Sequence, residues 1–393
     1  MKIYHQLGFR ENWNFDVFNK KIGNGFIFSP VNLAEDKLLA IETKYKQESF
    51  LDPQCYFPEN TPKGKLTTYG YFPQNICDSI NCSTQVVLKD QSCEKIAEKC
   101  IDLQLKNEFK YIVIPFKSYQ TSNSYDMIEK NNSQFIFPFL KEIKNRQISK
   151  PILLTIVLNQ EQLKFSEIRD EILNWVTGFR EITGIYLIFQ YENSSKQIKD
   201  PDFLLSALKF INILKNNNLE VIIGYTNTEA LLYTVAMPDG ITIGSYENLR
   251  KFSINRFVQN DVMARGPIAR LYSPILLNWI PAGIVNSIRE NNIKRFEEIF
   301  PDDEERPYHI TTEFKWHFTK PELYKYYFIQ FSKQIEDISK HETSNARINF
   351  LKKIIVNAVK TYQELNIKFD TDSNYDHLAT WAKVLLKYEE ILK

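Results

Sequence analysis

The stretch from Leu219 to Arg256 constrains the fold of this chain more than any other. An apolar run, Val221–Ile223, ends at Gly224. Thr226 and Glu229 then form the T-x-x-E pattern of a capping box, which predicts a helix running on to Met237. Pro238-Asp239-Gly240 turns the chain, a second apolar run, Ile241–Ile243, ends at Gly244, and Ser245 is placed to cap a further helical segment. Strand, helix, strand and helix in so short a span is the repeat unit of a parallel α/β sheet. Both runs end in glycine, where backbone bends sharply or passes close to another group.

The same alternation extends in both directions. Strands are expected at Phe26–Ser29, Ser49–Tyr56, Tyr111–Phe116, Pro151–Leu158 and Ile185–Phe189, and again at Ala269–Ser273 before Pro274. Between them, Cys93, Ile96, Ala97, Cys100 and Ile101 repeat with helical spacing. Asp200 followed by Pro201 marks a helix start with Phe203, Leu204, Ala207, Leu208, Ile211 and Leu214 on its inner face. Eight strands interleaved with helices predict a (β/α)8 TIM-like barrel over residues 1–285, with an open doubly wound parallel sheet as the alternative. Residues 1–25 are expected to pack across one end of the barrel, and 59–74 to form a long loop. Residues 286–393, beyond which the pattern turns helical with charged faces, predict an all-helical extension interrupted by the acidic segment Pro301–Arg306.

Composition narrows the function classes. Of 393 residues, 43% are hydrophobic and 25% charged, with a net charge of +1, so no overall field drives the chain onto nucleic acid or anionic lipid. No apolar run is long enough to cross a membrane, the N-terminal residues lack a signal-peptide core, and five cysteines fit reduced thiols. A cytoplasmic protein is expected. The cysteines lack zinc-type pairs and the five histidines are scattered, so neither a metal nor a cofactor is expected. There is no G-x-G-x-x-G turn, P-loop or G-x-S-x-G elbow.

Reactive groups of a barrel lie at the C-terminal ends of its strands. That rule selects Ser29, Asp52, Gln54, Lys117, Asn159, Gln190, Glu192, Tyr225, Ser245 and Arg270. Asp52 and Glu192 are the candidate catalytic acids or bases. Asp52 follows an apolar strand, though Asp-Pro is also a turn former, and Glu192 also reads as a solvated loop acid. Gln54, Asn159, Tyr225 and Ser245 are candidate substrate-binding groups. Arg250, Arg265 and Arg270, with Lys251 and Arg256, make a basic segment around the last strands, where arginine forks suit phosphate; the structural alternative is charge balance on the rim.

Gly224, Ala230-Leu231, Val235-Ala236, Ile241–Ile243, Gly244 and Ser245-Tyr246 together resemble the late barrel of the tRNA-guanine transglycosylases and their DNA-modifying relatives. The resemblance implies a barrel directed at a nucleobase, nucleotide or nucleic acid, with glycosyl-transfer or hydrolase-type chemistry. It also implies that Asp52 corresponds to the family's base-holding aspartate. The chain departs from the family in three places. Gly244 stands where the nucleophilic aspartate would fall, the C-x-C-x-x-C zinc ligands have no counterpart, and Pro53-Gln54 replaces the glycine pair. Two classes therefore stay open. One is a divergent barrel enzyme that contacts nucleotide or nucleic acid through a basic rim. The other is a non-catalytic subunit of an assembly, with a protein partner on the helical tail.

Overall fold

The computed structural model describes residues 1–57, 63–76, 90–119, 124–192, 196–257, 266–301 and 314–393. Eight parallel strands form a nearly closed barrel wrapped by helices: β1 Lys2–Gln6, β2 Gly25–Phe28, β3 Phe50–Leu51, β4 Ile112–Ile114, β5 Ile152–Leu158, β6 Gly184–Phe189, β7 Glu220–Gly224 and β8 Gly240–Gly244. Their hydrogen-bonded order is β3-β2-β1-β8-β7-β6-β5-β4, so the ring is joined where β1 pairs with β8, from Lys2 opposite Gly240 to Gln6 opposite Gly244. The remaining seam, between β3 and β4, carries no ladder. Two backbone bonds tie it, Lys110 N to Ser49 O at 3.0 Å and Ser118 N to Tyr56 O at 3.0 Å.

The barrel is the expected one, but its membership differs at one strand. Residues 1–25 do not lie across an end; they supply β1, the hydrogen-bonded bridge between β2 and β8. The segment expected as the eighth strand instead forms β9, Arg270–Ser273, in an antiparallel hairpin with β10, Asn278–Pro281, outside the barrel sheet. The interior is filled rather than hollow. Tyr4 of β1, Phe50 of β3 and Tyr186 of β6 meet across it, with Phe50 ring centroids 5.5 and 5.2 Å from those of Tyr4 and Tyr186. Bulky side chains filling the centre are what such barrels require.

The helices follow their sequence signals unevenly. In Pro201–Asn216 the expected face is buried, and Asp200 caps the helix by accepting from Asp202 N at 3.0 Å and Phe203 N at 3.1 Å. The T-x-x-E capping box after β7 does not form. Thr226 instead donates its hydroxyl to Thr242 O across to β8, at 2.6 Å, while the expected helix runs as a turn of α-helix, Ala230–Tyr233, tightening to a 3-10 turn, Thr234–Ala236, that ends at left-handed Met237. Ser245 does not cap the next turn, Glu247–Arg250, whose N-cap position is Tyr246.

The extension folds back onto the barrel. Helix Pro321–Ser339 covers the hairpin, with the Tyr327 ring 4.6 Å from Trp279, and reaches helix Glu11–Phe18, where Tyr324 stacks on Trp13 at 5.4 Å. Helix Ser344–Leu365 is held to the turn after β7 by Arg347, whose Nη1 donates to Thr234 O at 2.8 Å. Helix Asp376–Ile391 lies on helix Pro201–Asn216. No helix among the described residues is long and apolar enough to cross a membrane.

Candidate functional site

Two polar constellations lie at the C-terminal end of the barrel, and Tyr225 belongs to both. The inner one surrounds Asp52, directly after β3. Its carboxylate accepts from Tyr56 Oη at 2.7 Å, Tyr225 Oη at 3.1 Å, Gln54 N at 3.2 Å and Gln54 Nε2 at 3.4 Å. Burial pushes the Asp52 carboxyl up to about 6, against those four bonds, which favour the ionised form. Gln54 Oε1 in turn accepts from Val31 N at 2.8 Å, and alongside the node Tyr186 Oη donates to Gln6, whose amide donates to Ser29. Gln54 and Tyr225 both hold left-handed backbone, φ +57° and +53°, an arrangement that non-glycine residues adopt only where surrounding contacts enforce it. Those contacts include Gln54 Nε2 to Tyr225 Oη at 3.2 Å. Gly224, just before, has no alternative: a Cβ there would lie 2.6 Å from the Tyr186 hydroxyl.

This inner node is closed toward solvent. The Tyr56 ring lies 4.9 Å from both Phe252 and Phe257. The described part of the long loop sits over it, with Tyr71 Oη donating to Pro53 O at 2.9 Å and Lys63 N to Phe257 O at 3.3 Å. Asp52 is fully buried, with both oxygens engaged by the protein's own donors.

The outer constellation lies over β6, β7 and β8. Glu229, five residues past β7 and buried, accepts from Asn227 N at 2.8 Å. Burial pushes its carboxyl up to about 7, opposed by that bond and by the charges of Arg250 and Lys251. Arg250, 8% exposed, lies with its guanidinium 3.9 Å from the Trp279 ring centroid. Its Nη1 donates to Gly244 O at 3.2 Å and to Ser245 O. Lys196 pairs with Glu247. Burial alone would raise Glu247, but the Lys196 hydrogen bond and the neighbouring cations outweigh it and leave the carboxyl below its ordinary range.

Asn227 Oδ1, Tyr233 Oη, Ser245 Oγ, Arg250 Nε and Arg256 Nη2 are all buried, and none has a hydrogen-bond partner among the described residues. Buried polar atoms are nearly always bonded, so each of these is short of a partner that water or a bound molecule supplies. A cavity of about 30 Å³ is lined by Glu229, Tyr233, Asn227 and Arg250. A larger one of about 380 Å³ shares Lys196, Asn227 and Arg250 with it, and is walled by Tyr246, Trp279, Phe318 and Tyr324. A third, bordered by Glu192, Lys251 and Arg256, continues along the rim.

The residues expected from sequence therefore divide. Asp52, Gln54 and Tyr225 come together in the closed node; Arg250 lines the outer cleft, with the Ser245 carbonyl accepting from its Nη1. Glu192 is exposed on the third cavity, accepting from Gln190 Nε2 at 3.4 Å. Asn159 is engaged in a capping box at the start of Gln160–Lys164. Arg270 is on the hairpin, bound to Asp370 at 3.0 Å and Asp372 at 3.6 Å, which fastens the tail to the rim. Arg265, Cys77, Cys82 and most of the Pro301–Arg306 segment lie outside the described residues; Cys55, Cys93 and Cys100 are buried thiols. Sequence reasoning missed Glu229, Asn227 and Trp279. The strand-end rule that selected Tyr225 would have reached Glu229 had the T-x-x-E pattern not assigned it to a cap.

The fold and the cleft define a (β/α)8-type barrel with a built but unmatched polar site on its β6–β8 rim. Comparison with protein-family models, curated proteins and solved structures finds no match to this chain.

Proposed function

We propose that the chain is a barrel enzyme acting on a nucleoside or nucleotide by glycosyl transfer or hydrolysis, with its reaction centre on the rim over β6–β8 and not at Asp52. The observation that carries this reading is Glu229: a carboxyl buried at a strand end, held near neutrality, beside a cavity ringed by unmatched polar atoms. An acid with that proton affinity suits proton transfer in neutral solution. In hydrolysis, Glu229 gives its proton to the departing base as the bond to the sugar breaks. The carboxylate so formed takes a proton from the water whose oxygen joins the sugar carbon. In this reading Asn227 and Tyr233, which line the same small cavity as Glu229, hold the sugar hydroxyls.

Incubation with purine and pyrimidine nucleosides and nucleotides, with chromatography of the released base, tests the reading. Wild type is expected to release base, and Glu229→Gln to lose about 100-fold or more in rate while remaining folded. No release from any substrate by wild type overturns the activity, and undiminished release by folded Glu229→Gln overturns the role of Glu229.

A second reading, a non-catalytic subunit, draws on the closed axial mouth and on apolar side chains exposed along the last two helices, Val356, Leu386 and Ile391. Co-purification of a stoichiometric protein partner would favour it.

A further inference from the structure

Arg250 presents a problem of charge. It is more than nine-tenths buried, yet no carboxylate among the described residues lies within ion-pairing distance of it. Buried charges are ordinarily paired, because water that would solvate them has been removed. Its hydrogen bonds are one-sided as well. Nη1 serves two backbone carbonyls, Gly244 O and Ser245 O, whereas Nε is buried without a partner among the described residues. The Nε–Nη2 edge is the fork that grips an oxyanion through two parallel bonds. The Trp279 ring packed on the guanidinium and the two carbonyls on Nη1 restrain the group before any ligand arrives.

The other cations lining the same cavity are not in the same state: Lys196 is paired with Glu247, and Arg270 with Asp370 and Asp372. Among the described residues on this cavity Arg250 is thus the cation without an ion pair, one contact and not the row of cations that a polynucleotide backbone requires. The cavity that Arg250 lines, about 380 Å³, is of the size that encloses a small ligand, and its wall is aromatic: Tyr246, Phe318, Tyr324 and Trp279.

We propose that the Arg250 fork anchors the single phosphate of a mononucleotide whose base lies against this aromatic wall. The proposal rests on the nucleoside-directed reading above and narrows it to monophosphates, excluding bare nucleosides and nucleic acid.

Calorimetric titration of wild type with AMP, GMP, CMP and UMP, with the matching nucleosides, with inorganic phosphate and with a poly-dT oligonucleotide tests it. At least one monophosphate is expected to bind about 10- to 100-fold more tightly than its nucleoside, the worth of charge-assisted bonds to one anion. Its affinity should fall with salt as for about one phosphate contact. Arg250→Lys should abolish that preference; Arg270→Gln should keep it. Equal binding of monophosphate and nucleoside overturns the inference and leaves the nucleoside reading standing. Tighter binding of the oligonucleotide, with a steep salt dependence, overturns it in favour of nucleic acid. No binding of any probe overturns both. The wild-type comparison decides these outcomes whether or not Arg250→Lys folds.

Discussion

Asp52 and Glu229 are both carboxyls, both buried, both just past a barrel strand, and both raised in proton affinity by burial. They differ in what surrounds them. Asp52 is met by two tyrosine hydroxyls and by both the backbone and the side chain of Gln54, and aromatic rings close it off. Around Glu229 the groups that converge are left unmatched, beside open space. Burial and a displaced proton affinity therefore do not by themselves mark a reactive residue. A satisfied network holds the fold, and an unsatisfied one is where we place the ligand.

The comparison breaks most visibly if the two residues are deleted. Asp52→Ala leaves two tyrosine hydroxyls and an amide buried without their acceptor, and is expected to cost about 3–5 kcal/mol. Glu229→Ala removes the acceptor of one backbone N–H and should cost nearer 1 kcal/mol. Urea denaturation of both variants measures this, and a larger loss at Glu229 would invert the assignment.

The pH dependence of stability sharpens it. Each carboxyl has a folded-state value above its unfolded one, so the unfolded chain loses the proton first and stability falls as pH rises. For Asp52 the fall begins near 3.8 and is complete above about 6; for Glu229 it runs from 4.5 to about 7. The Asp52 contribution is about 3 kcal/mol. Asp52→Asn should remove the fall in the lower window and Glu229→Gln that in the upper, seen as the difference from wild type in denaturation series across pH. A difference of the opposite slope would contradict both.

The smallest expected effect lies at the residue the two regions share. Tyr225→Phe removes one hydroxyl, which donates to Asp52 and accepts from Gln54, and should cost about 1–2 kcal/mol. Loss of the Asp52 bond should also raise the Asp52 carboxyl further, moving its stability window upward. An unchanged window would mean that Tyr225 contributes packing alone.

Much of this architecture was legible in sequence where local pattern and long-range packing agree. The helix Asp90–Lys106 buries the face its spacing implied, and seven of the expected strands lie in the barrel. Strand β1 was not legible, because KIYHQ carries no alternation. His5 and Gln6 are buried polar residues whose partners, Asn14 and Ser29, come from other elements. The β9 segment misled for the opposite reason: its residues favour extended backbone, but its partner, Asn278–Pro281, reads as a loop and makes the pairing local. Of the site, the strand-end rule found Asp52, Tyr225 and Ser245. Nothing in a sequence records whether a polar atom is satisfied once folded, and that property separates Asp52 from Glu229.

The pairing of β1 with β8 has a consequence for biosynthesis. Lys2–Gln6 is made before every other strand of the barrel, but its second neighbour, Gly240–Gly244, is made more than two hundred residues later. The ring cannot be assembled strand by strand to completion; its decisive pairing is the most distant in sequence, and such closures are slow. Until then one side of β1 is an open edge, able to recruit another chain's strand. A nascent chain stalled before Gly240 should hence be the form of this protein most dependent on a chaperone.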